Sequence, residues 1–379
     1  MEKLRKPIEN IMQADCRQKK SALHGLLYAA SGIYGAGVRL RDAGFRAGVL
    51  PVKSLPCRVI SIGNITAGGT GKTPMAIYMA RQLQQMGYRP AVLSRGYKGG
   101  AEKTGAVVSD GRSLFSDSRA AGDEPFLMAC RLGGVPVLVG ANRYQSGMRA
   151  VTEFDPDMII LDDAFQHRQL HRDLDLVLID AQRGIGSGRL LPCGMLREPV
   201  SGLARADAVV LTRSGENQES PEIPDLPDRP VFRAGHVPYL AGVYDSTQTP
   251  ELHVSALAQS AGFECLAGHR MFAFSGIAQN REFRGMLENR MGALCGFAGF
   301  ADHYFYTERD LQDIADRAQS CGAGYLVTTE KDFMRIAGRM PGTLPLAVVG
   351  VDMAFVNHGE EQRFLCFVRR KLAAKVSEA

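Results

Sequence analysis

Val59-Ile60-Ser61-Ile62 runs into Gly63-Asn64-Ile65-Thr66-Ala67-Gly68-Gly69-Thr70-Gly71-Lys72-Thr73, and helix-forming residues follow over 75–85. A β-branched run, a glycine-rich turn and a helix in that order form the setting of a phosphate-binding loop. Glycines 68, 69 and 71 allow backbone N–H groups to converge on phosphate oxygens, where side chains would obstruct. Residues Thr66, Ala67, Gly68, Gly69, Thr70, Gly71, Lys72 and Thr73 are therefore the expected nucleotide site. Lys72 is placed to reach the β- and γ-phosphates, the Thr73 hydroxyl to ligate Mg²⁺, and the helix N-terminus to add partial positive charge. Thr66 stands where the general P-loop pattern has glycine.

Further apolar runs at 91–93, 135–139, 158–161, 176–179 and 208–211 read as buried strands separated by helical or glycine-bounded segments. That alternation predicts an α/β fold of P-loop NTPase type, a mostly parallel sheet with helices on both faces. Prolines 221, 224, 227 and 230 mark residues 220–230 as a linker. Beyond it, 271–275, 325–328 and 346–349 read as strands of a second, smaller α/β domain, closed by a helix over 364–372. The expected division is 1–50, an amphipathic N-terminal segment; 51–225, the P-loop domain; and 226–379, the second domain.

The 379 residues are long enough for two cores, and no apolar run reaches the length of a transmembrane helix. No signal-peptide pattern opens the chain. Eight scattered cysteines without a C-x-x-C pair argue for a reducing compartment and against structural zinc. Of the net charge of +5, residues 1–53 carry ten Lys/Arg against four Asp/Glu, so +6 lies there and −1 in the rest. Basic character confined to one segment argues against a nucleic-acid-binding surface. Within that segment Leu23, Leu26, Leu27, Ala30, Ile33, Tyr34, Gly37 and Val38 recur at helical spacing, flanked by Lys19, Lys20, Arg39 and Arg41. Two readings fit: a helix packed on its own domain, or one lying on an anionic membrane surface.

Polar groups gather at strand ends, where ligands of such sheets bind. The apolar run 158–161 ends in Asp162-Asp163, the form of a Walker B element whose carboxylate holds Mg²⁺, with Asp162 the better placed. Gln166 and His167, just beyond, are equally consistent with orienting substrate and with anchoring the turn. Asp123, in Gly122-Asp123-Glu124-Pro125, stands where a helix cap is the default; a carboxylate there can also accept a proton from an attacking hydroxyl. Asp302-His303 precedes a helical run, compatible with a cap and its neighbour. Arg197 reads as a phosphate clamp or as an ion-pair partner of Glu198. Lys331-Asp332 is a further strand-end pair.

Taken in order, Ser61-Ile-Gly-Asn-Ile-Thr-Ala-Gly-Gly-Thr-Gly-Lys-Thr-Pro74, Leu93-Ser-Arg-Gly-Tyr97, Gly122-Asp-Glu-Pro125, Asp162-Asp-Ala-Phe-Gln-His167, Leu196-Arg-Glu-Pro199, Asp302-His303 and Thr329-Glu-Lys-Asp332 resemble the tetraacyldisaccharide 4′-kinases, the lipid A 4′-kinases of Gram-negative bacteria. The resemblance implies that ATP donates its γ-phosphoryl group to the 4′-hydroxyl of an acylated glucosamine disaccharide 1-phosphate, a step of lipopolysaccharide biosynthesis. It implies that Lys72 and Thr73 hold phosphate and Mg²⁺, that Asp162 and Asp163 support the metal, and that Asp123 is the catalytic carboxylate with His303 as its partner. Glu124, Arg197, Glu198, Gln166 and His167 would meet the lipid substrate. The implied location is the cytoplasmic face of the inner membrane, peripheral or monotopic through the N-terminal helix, with no obligate protein partner. Two positions depart from the family pattern. Ala164 stands where glycine is expected, tolerable unless φ is positive there, and Cys193-Gly194-Met195 replaces Ala-Gly-Pro.

Other P-loop classes fit less well. A regulatory GTPase needs an Asn/Thr-Lys-x-Asp guanine reader, and Thr329-Glu-Lys-Asp332 has the wrong spacing. A membrane-bound switch ATPase would share the P-loop and the amphipathic helix, without needing an Asp and a His for an acceptor hydroxyl.

Overall fold

The computed structural model describes residues 22–215, 228–244, 262–291, 294–336, 338–341 and 344–373. Lys19, Lys20 and most of the expected linker lie outside them. The strands are β1 (Arg58–Asn64), β2 (Pro90–Ser94), β3 (Ala106–Ser109), β4 (Val137–Val139), β5 (Met158–Asp162), β6 (Leu174–Asp180), β7 (Ala208–Thr212), β8 (Val231–Tyr244), β9 (Met271–Ser275), β10 (Leu294–Gly299), β11 (Tyr325–Thr329) and β12 (Leu346–Phe355). The fold is α/β, as expected, and the chain divides into two compact units. One comprises residues 1–76, 157–236 and 353–379; the other comprises 77–156 and 237–352.

In the first unit β7, β6, β1 and β5 lie side by side and all parallel, and Val231–Arg233 of β8 continues the series alongside β7. β6 is buried along its whole length and β1 from Val59 onward. Burial on both faces explains why these strands read as continuous apolar runs instead of alternating ones. Ile62 is in register with Asp162, so the end of β5 lies beside the end of β1. The end of β1 packs tightly against the loop after β5: a Cβ on Gly63 would fall 2.6 Å from Phe165 Cβ.

The helix Ala22–Arg46 belongs to this unit, and its packing splits the expected apolar stripe. Leu27 and Val38 are buried, together with Ser31, Gly35 and Asp42. Ser31 donates to the Leu190 carbonyl at 2.9 Å, Tyr34 to the Arg197 carbonyl at 2.7 Å, and Arg168 to Asp42 at 2.9 Å. Leu26, Ile33 and Leu40, one every seven residues and hence on one side, are 69%, 78% and 77% exposed. The helix thus packs through a largely polar seam and leaves an apolar face open, the reverse of an ordinary surface helix. No helix among the described residues is long and apolar enough to cross a membrane.

The second unit holds β2-β4-β3, with β3 antiparallel, and a parallel group in which β9 lies between β10 and β11 and β12 pairs with β11. Among its helices, Asp123–Arg131 and Glu330–Ile336 are strapped together by charge. Glu330 meets Arg131 at 3.5 Å, both buried, and Lys331 pairs with Glu124. Tyr239 hydroxyl joins that buried pair at Glu330, and the partly exposed Asp352 meets Arg131. The helix Glu308–Ser320 starts on a capping box of Thr307 and Asp310.

Candidate active site

The nucleotide cradle is assembled in the first unit. β1 delivers residues 65–71, and the helix Lys72–Gln85 begins at Lys72 itself, a turn earlier than the apolar run alone suggests. The cradle is braced from several sides. Asn64 Nδ2 donates to Thr70 Oγ1 at 2.9 Å, tying the two ends of the loop. Thr212 Oγ1, at the end of β7, donates to the Thr70 carbonyl at 3.0 Å. The segment around Met195 runs antiparallel to the loop, with Ala67 N donating to Met195 O and Arg197 N to Ile65 O, each at 2.7 Å. That pairing holds the backbone of Thr66, which is not among the residues with positive φ, so a side chain is tolerated at the position usually held by glycine. It also shows what residues 193–195 do: Met195 supports the cradle through its carbonyl, which a change of side chain leaves in place.

Gly68 and Gly71 adopt φ of +112° and +83°, which side-chain-bearing residues rarely take. At Gly71 space is closed as well: a Cβ would lie 2.3 Å from His236 Nε2. His236, on β8, is held by Arg213, whose Nε lies 3.4 Å from its Nδ1. Arg213 Nη1 in turn pairs with Asp180 at 2.9 Å and Nη2 reaches the Gly69 carbonyl at 3.4 Å. Burial, with Arg213 adding to it, pushes the His236 imidazole down to about 4. Sequence reading missed this trio. Arg213 and Asp180 do follow the strand-end signal, but His236 does not, because Gly235 and Pro238 hide β8.

Lys72 Nζ lies 3.6 Å from Asp163 Oδ1, and Arg197 Nη1 lies 2.8 and 3.0 Å from the two Asp163 oxygens. Arg197 therefore pairs with Asp163 and not with its neighbour Glu198. Glu198 is fully buried, held by Arg205 and by Gln166 Nε2 at 2.6 Å. Gln166 also donates to the Asn64 carbonyl at 2.8 Å, so it anchors the turn beneath the cradle. His167 does the same with its backbone, its carbonyl accepting from Arg172 at 2.9 Å. The positive φ in this loop falls on Asp163, at +49°, and Ala164 is not among the residues with positive φ. Alanine is therefore tolerated where the family pattern has glycine. Asp162 and Thr73 are 1% and 5% exposed. A hydroxyl in the first turn of the helix Lys72–Gln85 and a carboxylate at the end of β5 are the hard oxygen donors Mg²⁺ takes.

The second unit carries a separate polar constellation. Asp123 is the first residue of the helix Asp123–Arg131, and Gly122 is its cap. The capping position expected for Asp123 falls to Gly122, one residue before it. Asp123 Oδ2 instead faces His303 Nδ1 at 3.1 Å and Arg335 Nη2 at 2.7 Å. The cap expected of Asp302-His303 falls to Thr307. His303 has φ of +58°, its N–H donates to the Gly276 carbonyl at 3.1 Å, and Tyr97 stands edge-on 6.2 Å away. Burial pushes the Asp123 carboxyl up, but hydrogen bonds and charge from His303 and Arg335 outweigh it and hold the group below 3.8. Asp332 is the inner anchor of Arg335, receiving Nη1 at 3.0 Å. Arg335 was also missed, although it lies four residues after Lys331 and hence on the same helical face.

The family model of tetraacyldisaccharide-1-P 4′-kinase matches residues 23–372. A tetraacyldisaccharide 4′-kinase of Desulfatibacillum aliphaticivorans is 37% identical over 98% of this chain and 99% of its own. That of Geobacter sulfurreducens is 39% identical over 89% and 92%. Among solved structures, LpxK of Aquifex aeolicus, crystallised in complex with ATP, superposes with a TM-score of 0.71 at 31% identity, covering 92% of this chain and 99% of that one. By sequence along nearly its whole length and by fold, the chain belongs to the tetraacyldisaccharide-1-P 4′-kinase family.

Proposed function

We infer that the chain transfers the γ-phosphoryl group of ATP to the 4′-hydroxyl of a tetraacyldisaccharide 1-phosphate, forming the 1,4′-bisphosphorylated lipid A precursor. The observation that carries this reading is the pair of Asp123 and His303 at 3.1 Å in a chain that also has a braced P-loop, because a switch ATPase has no use for such a pair. Residues 66–73 hold the triphosphate, with Lys72 neutralising charge on the β- and γ-oxygens. Thr73 and Asp162 are the ligands we assign to Mg²⁺, which would supply positive charge against the phosphate oxygens there. Asp163 supports that set by orienting Lys72. Asp123 takes the proton as the acceptor O–H bond breaks and the new O–P bond forms. The bond between the γ-phosphorus and the β–γ bridging oxygen then breaks, and ADP leaves with the electron pair. His303 orients the carboxylate. Arg197, Glu124 and His167 are the residues we assign to substrate contact, while the buried Glu198 and its partner Gln166 act indirectly by holding the turn beneath the cradle. We keep the functional division 1–50, 51–225 and 226–379 as a proposal.

The test is transfer of label from γ-labelled ATP to tetraacyldisaccharide 1-phosphate in detergent micelles with Mg²⁺. Labelled lipid supports the reading; hydrolysis of ATP with no labelled lipid overturns it.

The substrate is acylated, and the exposed Leu26, Ile33 and Leu40 give the helix Ala22–Arg46 an apolar face beside Arg39 and Arg46. We propose that this face lies on the anionic cytoplasmic surface of the inner membrane. Inserting one such side chain is worth about 1.5–3 kcal/mol. Ile33→Glu and Leu40→Glu are each expected to weaken sedimentation with phosphatidylglycerol vesicles by roughly ten- to a hundredfold. Both residues are exposed, so the melting temperature should hold. Unchanged vesicle binding in the double variant would remove the proposal.

A further inference from the structure

The side chain of Arg335 is 8% exposed and fully committed. Its Nε donates to Asp123 Oδ2 at 2.8 Å, and Nη2 stands 2.7 Å from the same oxygen and 3.3 Å from His303 Nδ1. Nη1 donates at 3.0 Å to both Asp332 Oδ1 and the Gly276 carbonyl. Gly276 also receives the His303 N–H at its carbonyl, and its own N–H donates to Asp332 at 3.0–3.1 Å. Asp332, fully buried, is further held by Tyr306 hydroxyl at 3.0 Å and Thr329 hydroxyl at 2.7 Å. One guanidinium therefore ties Asp123, His303 and Asp332 to the β9 end at Gly276, in a fork that a lysine cannot reproduce.

Every hydrogen bond described for Asp123 lands on Oδ2. The two oxygens of the carboxylate are thus divided: Oδ2 is filled by Arg335 and His303, and Oδ1 keeps its lone pairs. At His303 the same fork engages Nδ1 in either ring form: protonated it donates to Asp123, unprotonated it accepts from Arg335.

We propose that Arg335 is a positioning residue for phosphoryl transfer, which fixes Asp123 and His303 through Oδ2 and Nδ1 and so presents Oδ1 of Asp123 to the acceptor hydroxyl. This rests on Asp123 being the base. Arg335 also keeps that base ionised. Charged and titratable groups around Asp123 are Arg335, with Asp332 behind it, from the helix Glu330–Ile336, and His303 from the loop after β10, with Tyr97 beside His303; the neighbouring Glu124 pairs with Lys331, which also feels Asp302. Of these, Arg335 and His303 hold its carboxyl down. Without the Arg335 charge that part of the hold is lost and the carboxyl rises; an opposite charge at this range is worth about one to three pH units.

The experiment is the pH profile of kcat with Mg·ATP and tetraacyldisaccharide 1-phosphate for Arg335→Gln, Arg335→Lys and Asp123→Asn. Arg335→Gln should lower kcat by roughly ten- to a hundredfold and move the acid limb up by about one to three units, with the KM for ATP little changed. Arg335→Lys, which keeps charge and loses the fork, should lower kcat while leaving the limb in place. Because Arg335→Gln strands the Asp332 carboxylate, Asp332→Asn/Arg335→Gln supplies a form without the buried charge and should show the same shifted limb. If the limb stays put in these uncharged variants while Asp123→Asn is inactive, the role of Arg335 falls and that of Asp123 stands. If Asp123→Asn turns over normally, the reading of Asp123 as base falls and takes this one with it.

Discussion

Asp123→Asn is expected to lower kcat by about 10²- to 10⁴-fold, the range spanned by loss of a positioned general base, with ATP affinity unchanged. Asparagine keeps the shape of the side chain and its Oδ atom can still accept from Arg335, so the fork around Gly276 and Asp332 survives. What is lost is the lone-pair basicity of a carboxylate. The hydrogen bonds bracing the P-loop run through Asn64, Thr212 and Met195, and the substitution touches none of them. Nucleotide binding measured by calorimetry should therefore match the wild type, while label transfer collapses. A substitution that acted by unfolding would lower both. Acid stability separates the two states further. A carboxyl held below its ordinary value contributes stability that is fully present above the unfolded value of about 3.9 and is lost as pH falls through the folded one. The gap in urea midpoint between wild type and Asp123→Asn should narrow on acidification. Full label transfer by Asp123→Asn would sink the assignment.

The strands that carry ligands were legible because burial on both faces makes them unbroken apolar runs, as at 158–161 and 176–179. β3, β8 and β10 were not. β3 is four residues at an antiparallel edge, β8 contains Gly235 and Pro238, and β10 is mostly half-buried, so none leaves a clean period. The same limit governs the site. Lys72 and Asp162 announce themselves by following strands. Asp123 resembled a helix cap, because its position in sequence is that of a cap. The family resemblance pointed elsewhere, and the physical reason is the approach of His303 and Arg335, 180 and 212 residues away. The N-terminal helix misled in a different way. Eight apolar residues at helical spacing read as one stripe, whereas Leu27 and Val38 turn inward with Ser31 and Asp42 while Leu26 and Ile33 turn out. Hydrophobicity alone does not say which side faces protein when the protein surface beneath offers carbonyls such as those of Leu190 and Arg197.

Gly71→Ala is expected to weaken ATP binding by roughly 10²- to 10⁴-fold, from about 1–3 kcal/mol of backbone strain and a similar amount of overpacking. The strain follows from φ of +83°. Overpacking follows from a Cβ placed 2.3 Å from His236 Nε2 and 3.1 Å from Met353 Cε. Methionine can yield, being flexible. His236 yields less readily, because Arg213 stands against its Nδ1 and is itself fixed by Asp180. The competing outcome is that the loop moves instead, pulling Gly71 away from its place before Lys72; either response removes N–H groups from the cradle. Gly68 separates the two contributions. It has φ of +112°, but its nearest neighbour to a Cβ is Met195 Cε at 3.9 Å, so Gly68→Ala carries strain without a clash. It should bind ATP more weakly than wild type and more tightly than Gly71→Ala. His236→Ala opens the space at Gly71, so Gly71→Ala/His236→Ala should recover affinity to about the level of Gly68→Ala. If the double variant binds no better than Gly71→Ala alone, backbone strain governs this position and the wall formed by Asp180, Arg213 and His236 has no part in shaping the cradle.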